Sequence, residues 1–246
     1  MKPTLIVPAA GSGTRLGGGV PKALVPIAGV PMIRRVLDLY SEYVSNAVVV
    51  VRPDAKPAVA AVTGPDIRVA LQPEPTGMLD AILLAAPHVE PGAAVWISWC
   101  DQVLVHRTTI RTLVERMRAH PQAALVMPTV RRSHPYIHFE RDSSGRIARV
   151  LQKREGDRMP DVGESDMGLF ALSAQAYETL LPSFAGEASR SEGTAERNFL
   201  PFIPWIAERR EVVTFPATGS IEAMGVNTPD ELAAAEAYLR ARDSSK

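Results

Sequence analysis

The residues whose types and spacing could do chemistry fall in a few short segments. The first is Pro8-Ala9-Ala10-Gly11-Ser12-Gly13-Thr14-Arg15, followed after five residues by Pro21-Lys22. It follows the apolar run Thr4-Leu5-Ile6-Val7, which reads as a buried strand. A strand that opens into a small-residue loop presents backbone N–H groups to an anion, and glycines let that backbone come close. Arg15 and Lys22 add two positive charges beside the loop. The segment reads as a triphosphate cradle, with Ala10, Gly11, Ser12, Gly13 and Thr14 as binding residues and Arg15 and Lys22 as the electrophilic clamp. For the loop taken alone, a plain glycine-rich turn is the alternative. A dinucleotide-binding turn lacks its last glycine, because Leu16 stands there, and no Gly-Lys-Ser/Thr closes a P-loop.

Three later segments carry chemistry in order. Gln72-Pro73-Glu74-Pro75-Thr76-Gly77 lies between a strand pattern and a helix pattern, and its amide offers both a donor and an acceptor to a base. A proline-rich connecting loop is the alternative. Trp99-Cys100-Asp101-Gln102-Val103-Leu104 follows an apolar run, so Asp101 stands at a strand end, where a carboxylate can hold Mg²⁺ beside a phosphate. Cys100 reads as a packing residue. Glu222-Ala223-Met224-Gly225-Val226-Asn227-Thr228-Pro229 precedes a helix, which gives Asn227 one role as a cap.

The pattern Gly-x-Gly-Thr-Arg, five residues, Pro-Lys, continued by residues 23–32, resembles the signature of the sugar-1-phosphate nucleotidyltransferases. The likeness is to their uridylyltransferase and thymidylyltransferase branches, and it covers most of the chain because the later segments fit in order. It implies an enzyme that transfers a nucleoside monophosphate from UTP or dTTP to a sugar 1-phosphate. It also implies Mg²⁺ held by Asp101 and Asn227, and a pyrimidine read by Gln72 and Gly77. On the acceptor side the chain differs from the uridylyltransferase pattern of a Gly-Tyr-Gly loop, a Glu and an Asn. Here Pro135-Tyr136-Ile137-His138-Phe139, Gln152 and Asp166 stand at those places, which makes His138, Gln152 and Asp166 the candidate acceptor-binding residues. An ordinary strand histidine is the alternative for His138. Met78 replaces a threonine of the uridylyltransferase pattern. These departures keep open a cytidylyltransferase acting on a non-sugar phosphate or phosphonate, and a non-catalytic nucleotide sensor stays as a further alternative.

The elements that must position these residues alternate through the first half. Strand patterns at 4–7, 47–51, 67–71, 94–99 and 123–127 are separated by helical patterns at 32–43, 55–62, 78–86 and 108–119. Strands apolar on both faces predict a mostly parallel sheet covered by helices. The second half changes character. Residues 136–141 and 146–151 flank Asp142-Ser143-Ser144-Gly145, a hairpin signal, and 162–172 reads as one further strand. Helices are expected at 174–181, 195–207 and 230–241, a strand at 211–215, and loops at 155–164 and 182–194. The expected fold class is α/β: a single Rossmann-like domain over 1–246, with a nucleotide-binding half at 1–130 and a β-rich acceptor-binding half at 131–246.

The totals bound the partners. The 246 residues carry 27 basic and 27 acidic side chains, so no net charge draws the chain to nucleic acid or an acidic membrane, and neither is expected as a partner. Any anion must be held by local placement of basic groups. One cysteine allows no disulfide within the chain, and no apolar run approaches a membrane span, so a cytoplasmic enzyme is expected. No hexapeptide repeat is read, so the acetyltransferase half that accompanies the uridylyltransferase branch is not expected. The expected partners are a nucleoside triphosphate and a phosphorylated small-molecule acceptor.

Overall fold

The computed structural model describes residues 1–11, 13–17, 19–191 and 195–243. The first strand, β1 (Thr4–Pro8), is followed by two short paired strands, β2 (Pro26–Ile27) and β3 (Val30–Pro31), and helix α1 (Met32–Tyr40). Then come β4 (Asn46–Val51), α2 (Lys56–Thr63), β5 (Arg68–Leu71), α3 (Met78–Leu84), β6 (Val95–Ser98), α4 (Arg107–Ala119) and β7 (Leu125–Ser133). A hairpin, β8 (Ile137–Arg141) and β9 (Ile147–Gln152), leads to β10 (Val162–Asp166) and β11 (Leu169–Leu172). The chain ends with α5 (Leu181–Glu187), α6 (Phe202–Ala207), β12 (Val212–Pro216) and α7 (Pro229–Asp243).

Eight strands form one mixed sheet that draws on both halves of the chain. β1 pairs in parallel with β4 on one side and β6 on the other, and β5 adds in parallel to β4. β11 joins β6 to β7 in antiparallel fashion, β10 continues beside β7, and β12 runs parallel along the other edge of β7. The continuous apolar strands have a direct cause. Leu5, Val7, Val49 and Val51 point into one core with α1, α2, α4 and α7, while Ile6, Val48 and Val50 point into a second with α3, α5 and α6. A sheet covered on both faces leaves no polar side to its central strands. No helix among the described residues is long and apolar enough to cross a membrane.

Three expectations are corrected. Residues 162–172 are two strands, because Gly168 takes a left-handed backbone (φ +66°) and lies against the Trp99 ring, where a Cβ would come within 2.4 Å. Residues 182–194 are not all loop. α5 occupies their start, since Pro182 sits in its first turn, where no N–H is needed, and Leu181, Phe184 and Ala185 are buried. Helix at 195–207 is confined to α6, because Pro201 disfavours helical backbone at Leu200 and the stretch before it is held by another loop.

Candidate active site

The site lies beyond the C-terminal ends of β1, β5 and β6, where open parallel sheets place their ligands. After β1, Ala10 and Gly11 line a cavity of about 330 Å³. Ser12 lies outside the described residues. Gly13 is left-handed (φ +67°), and a Cβ on it would stand 3.0 Å from both Cα and N of Lys22. The loop therefore lies directly on the Lys22 backbone, which only glycine permits. Thr14–Leu16 form a short 3-10 turn that leaves Thr14 and Arg15 exposed, with Arg15 lining a second cavity of about 520 Å³.

The Lys22 ammonium stands between the two residues expected to hold a metal. Its Nζ is 2.5 Å from Asp101 Oδ2 and 2.7 Å from Asn227 Oδ1. Each partner is brought there by a different element. Asp101 follows β6, and its carbonyl accepts from the Val226 N–H at 3.3 Å. Gly225 lies against the carboxyl, 3.4 Å from its carbon to the position a Cβ would take. Asn227 does not cap α7. Thr228 and Glu231 form a reciprocal capping box there, Glu231 accepting from the Thr228 N–H (3.0 Å) and Thr228 Oγ1 from the Glu231 N–H (3.3 Å). That leaves the Asn227 amide oxygen aimed at the Lys22 ammonium. A carboxylate and an amide oxygen converging on one positive charge suit Mg²⁺, a hard cation that takes few protein ligands. Cys100 beside them is buried, and burial, with the Asp101 charge, pushes its thiol up to about 12. It packs and stays protonated.

Gln72 is buried, and its amide donates to the Gly77 carbonyl at 3.0 Å, closing the loop on itself. The backbone of Arg197 completes this wall. Arg197 N–H donates to the Thr76 carbonyl (2.8 Å), and its carbonyl accepts from the Leu79 N–H (3.1 Å). Arg197 also pairs with Asp80 through its guanidinium. Glu196 and Asn198 thereby line the cavity beside Ala10, Gln72 and Gly77. The sequence reading missed this segment. The available signal was Pro201, which marks the preceding residues as non-helical.

On the other side, Gln152 is buried with its amide oxygen accepting from Asn198 Nδ2. Asp166 borders both cavities, as do Trp99, Ile137 and Arg154. Its Oδ2 accepts from the Gly168 N–H at 2.9 Å. Burial pushes its carboxyl up to about 6 against that hydrogen bond, and the Asp101 charge acts in the same direction. His138 is not brought to this cleft. Its Nδ1 accepts from the Glu164 N–H (3.1 Å), and it lines a separate surface hollow with Arg131 and Arg141. Successive strand residues face opposite ways, so Ile137 takes the cleft side. Arg15, Arg132, Lys153 and Arg154 all line the second cavity, together with the carboxylates of Asp101, Asp166 and Glu231. Tyr136, largely exposed, lies under the Lys153 ammonium at 5.4 Å.

One further residue was not singled out. Glu222 is fully buried and accepts from the His106 N–H (2.7 Å), Thr218 Oγ1 (2.7 Å) and the Gly219 N–H (2.8 Å). Burial alone would raise its pKa. Hydrogen bonds from Thr109, His106 and Thr218 outweigh it and hold the carboxyl below the usual range. This network fixes the segment that leads into Gly225 and Asn227.

Known proteins are similar to this sequence over most of its length. A family model described as the MobA-like NTP transferase domain matches residues 5–164. The bifunctional protein GlmU of Burkholderia orbicola is 28% identical over 238 residues, 94% of this chain and 51% of that protein. The bifunctional protein GlmU of Chromohalobacter salexigens is 28% identical over 243 residues, 97% of this chain and 52% of its own. The chain thus spans about half the length of these curated relatives. The matched region runs from β1 into β10 and carries the glycine-rich loop after β1, Lys22, Gln72 and Asp101, and on it the chain belongs to the MobA-like NTP transferase family and is a nucleotidyltransferase.

Proposed function

We propose that the chain transfers a nucleoside monophosphate from a pyrimidine nucleoside triphosphate, UTP or dTTP, to a sugar 1-phosphate, giving an NDP-sugar and pyrophosphate. The observation that carries this reading is the convergence of Lys22, Asp101 and Asn227 beside two adjoining cavities. An oxygen of the acceptor phosphate attacks the α-phosphorus, the bond from it to the β-phosphate oxygen breaks, and pyrophosphate leaves. No general base is needed, since a phosphate monoester with a second pKa near ~6 is mostly dianionic at neutral pH. Catalysis is positioning and charge stabilisation. Ala10, Gly11, Gly13 and Thr14 cradle the triphosphate, with Ser12 between them in the chain. Arg15 neutralises the leaving pyrophosphate. Lys22 bridges the α-phosphate and the acceptor phosphate. Gln72 and Gly77 hold the base. Asp101 and Asn227 would hold Mg²⁺, which when bound neutralises and orients phosphate oxygens. Gln152 and Asp166 contact the acceptor. The position of His138 in another hollow argues against its proposed acceptor contact.

A second reading has its own observation. Asp166 puts a carboxylate, acceptor-only when ionised, where the uridylyltransferase branch has an amide. That favours an acceptor with a different set of donors, as in a cytidylyltransferase acting on a non-sugar phosphate or phosphonate. One experiment separates them: pyrophosphate release from UTP, dTTP, CTP and GTP against sugar 1-phosphates and non-sugar phosphates. Turnover of UTP or dTTP with a sugar 1-phosphate supports the first reading. Turnover confined to CTP and a non-sugar acceptor selects the second. Binding of nucleotide with no turnover anywhere would overturn both.

A further inference from the structure

Lys22 does not face open solvent or an empty cradle. Its ammonium fills the point on which the Asp101 and Asn227 oxygens converge, at 2.5 and 2.7 Å, with both charged side chains largely enclosed. A divalent ion bound to the same two oxygens would stand at about 2.0–2.1 Å from each for Mg²⁺. The two cations cannot share that point. From this geometry we infer that Lys22 occupies the cation site of the free enzyme as a resident counter-ion, so that a divalent ion enters only by displacing it. The inference rests on reading Asp101 and Asn227 as cation ligands.

The surroundings fit such an exchange. The Lys22 backbone is fixed, because Gly13 lies on its Cα and N and Ala23 beside it is buried. Only the flexible four-carbon stem is left to move. A displaced ammonium keeps its charge and needs another anion, and the adjoining cavity is the one the phosphate loop lines. A bound polyphosphate supplies that anion. Cation and polyphosphate then assist each other's binding by the same factor, as linkage requires. Lys22 acts in this way before any chemistry, by holding divalent ions out of a site with no nucleotide.

The test uses Mn²⁺ as the probe and measures its dissociation constant by electron paramagnetic resonance, with no nucleotide present. The proteins compared are the unaltered chain, Lys22→Met, Lys22→Gln, Asp101→Asn and the double variant Lys22→Met/Asp101→Asn. Thermal melts check that each is folded. The expected result is Mn²⁺ binding at least ten-fold tighter in Lys22→Met and Lys22→Gln than in the unaltered chain, with the gain lost in the double variant. Equal Mn²⁺ affinity in the unaltered chain and both Lys22 variants, or no binding in any, overturns the inference. Tighter binding that survives Asp101→Asn also overturns it, and shows in addition that Asp101 is not a cation ligand. Loss of Mn²⁺ on Asp101→Asn with no gain on removing Lys22 leaves the ligand reading standing and sinks the exclusion alone.

Discussion

Gly77 is packed so closely on Arg197 that a Cβ on it would lie 2.3 Å from the Arg197 carbonyl oxygen and 2.5 Å from its backbone nitrogen. Two hydrogen bonds clasp the same backbone, from Arg197 to Thr76 and from Leu79 to Arg197. Gly77→Ala should therefore part the wall of the cavity proposed to hold the nucleotide. The expected outcome is a loss of about 1–3 kcal/mol in stability, the scale of backbone strain at such sites. Nucleotide affinity should fall by roughly ten-fold or more, or about 1.4 kcal/mol. Gly64→Ala is the control, since Gly64 is also left-handed (φ +85°) with nothing within 4 Å of its Cβ position. Urea melts and calorimetric nucleotide titrations check both. If the two variants lose nucleotide affinity equally, the clasp is not what shapes the cavity.

Lys22→Ala should lower turnover by roughly 10²-fold or more, the scale of one lost electrostatic contact to a developing charge. Removing the ammonium also leaves the largely enclosed Asp101 carboxylate without its partner, so the melting temperature should fall too, and turnover is compared at a temperature where the variant is folded. Steady-state pyrophosphate release with the productive substrate pair measures the first quantity. A folded variant with near-normal turnover removes Lys22 from the mechanism.

What the sequence made legible divides along physical lines. The β4 run of valines reads as a buried strand because helices cover both faces, and hydrophobicity alone records that. The break at Gly168 does not read, because it is set by the Trp99 ring, which approaches from another part of the chain. The same holds for the cavity wall at Glu196–Asn198, whose conformation is dictated by the loop ending at Gly77 rather than by its own residues. Lys22, Asp101 and Asn227 lie far apart in sequence, with separations of 79 and 205 positions, so no local pattern joins them. Family resemblance placed them together where periodicity could not. His138 shows the limit of that route. A hairpin's residues alternate between faces, and only the packing of β8 decides that Ile137, not His138, meets the cleft.

Asp166 gives a prediction with a sign. Its folded pKa of about 6 lies above the ordinary 3.8. The folded state therefore holds this proton more tightly than the unfolded chain does. The contribution is fully present below the ordinary value and is lost as pH rises through about 6. Asp166→Asn removes the ionised, desolvated form. It should stabilise the protein at pH ~8 by up to about 3 kcal/mol, and give little or no gain near pH ~4. Urea midpoints at the two pH values measure this. The same variant should shift the ranking of acceptors in the substrate panel more than it weakens nucleotide binding. A collapse of nucleotide affinity instead would place Asp166 on the nucleotide side of the cleft.

Glu222 ties stability to the proposed cation site. Its carboxylate takes three hydrogen bonds at 2.7–2.8 Å from His106, Thr218 and Gly219 and has no exposure to solvent. Glu222→Gln keeps the shape but turns one acceptor oxygen into an NH₂ donor that faces N–H groups. Leaving such buried donors unmatched costs about 1–3 kcal/mol or more. Because the folded pKa lies below the ordinary 4.5, the carboxylate's contribution is present above that value and is lost as pH falls through the folded pKa. Denaturation curves should therefore show the gap between Glu222→Gln and the unaltered chain wide at neutral pH and closing in acid. The network also anchors the segment that runs on to Gly225 and Asn227, so Mn²⁺ affinity measured with saturating nucleotide should fall with it. A variant that loses stability yet binds Mn²⁺ normally would confine Glu222 to the fold. One that loses both makes this buried carboxylate the residue that positions Asn227 against Asp101.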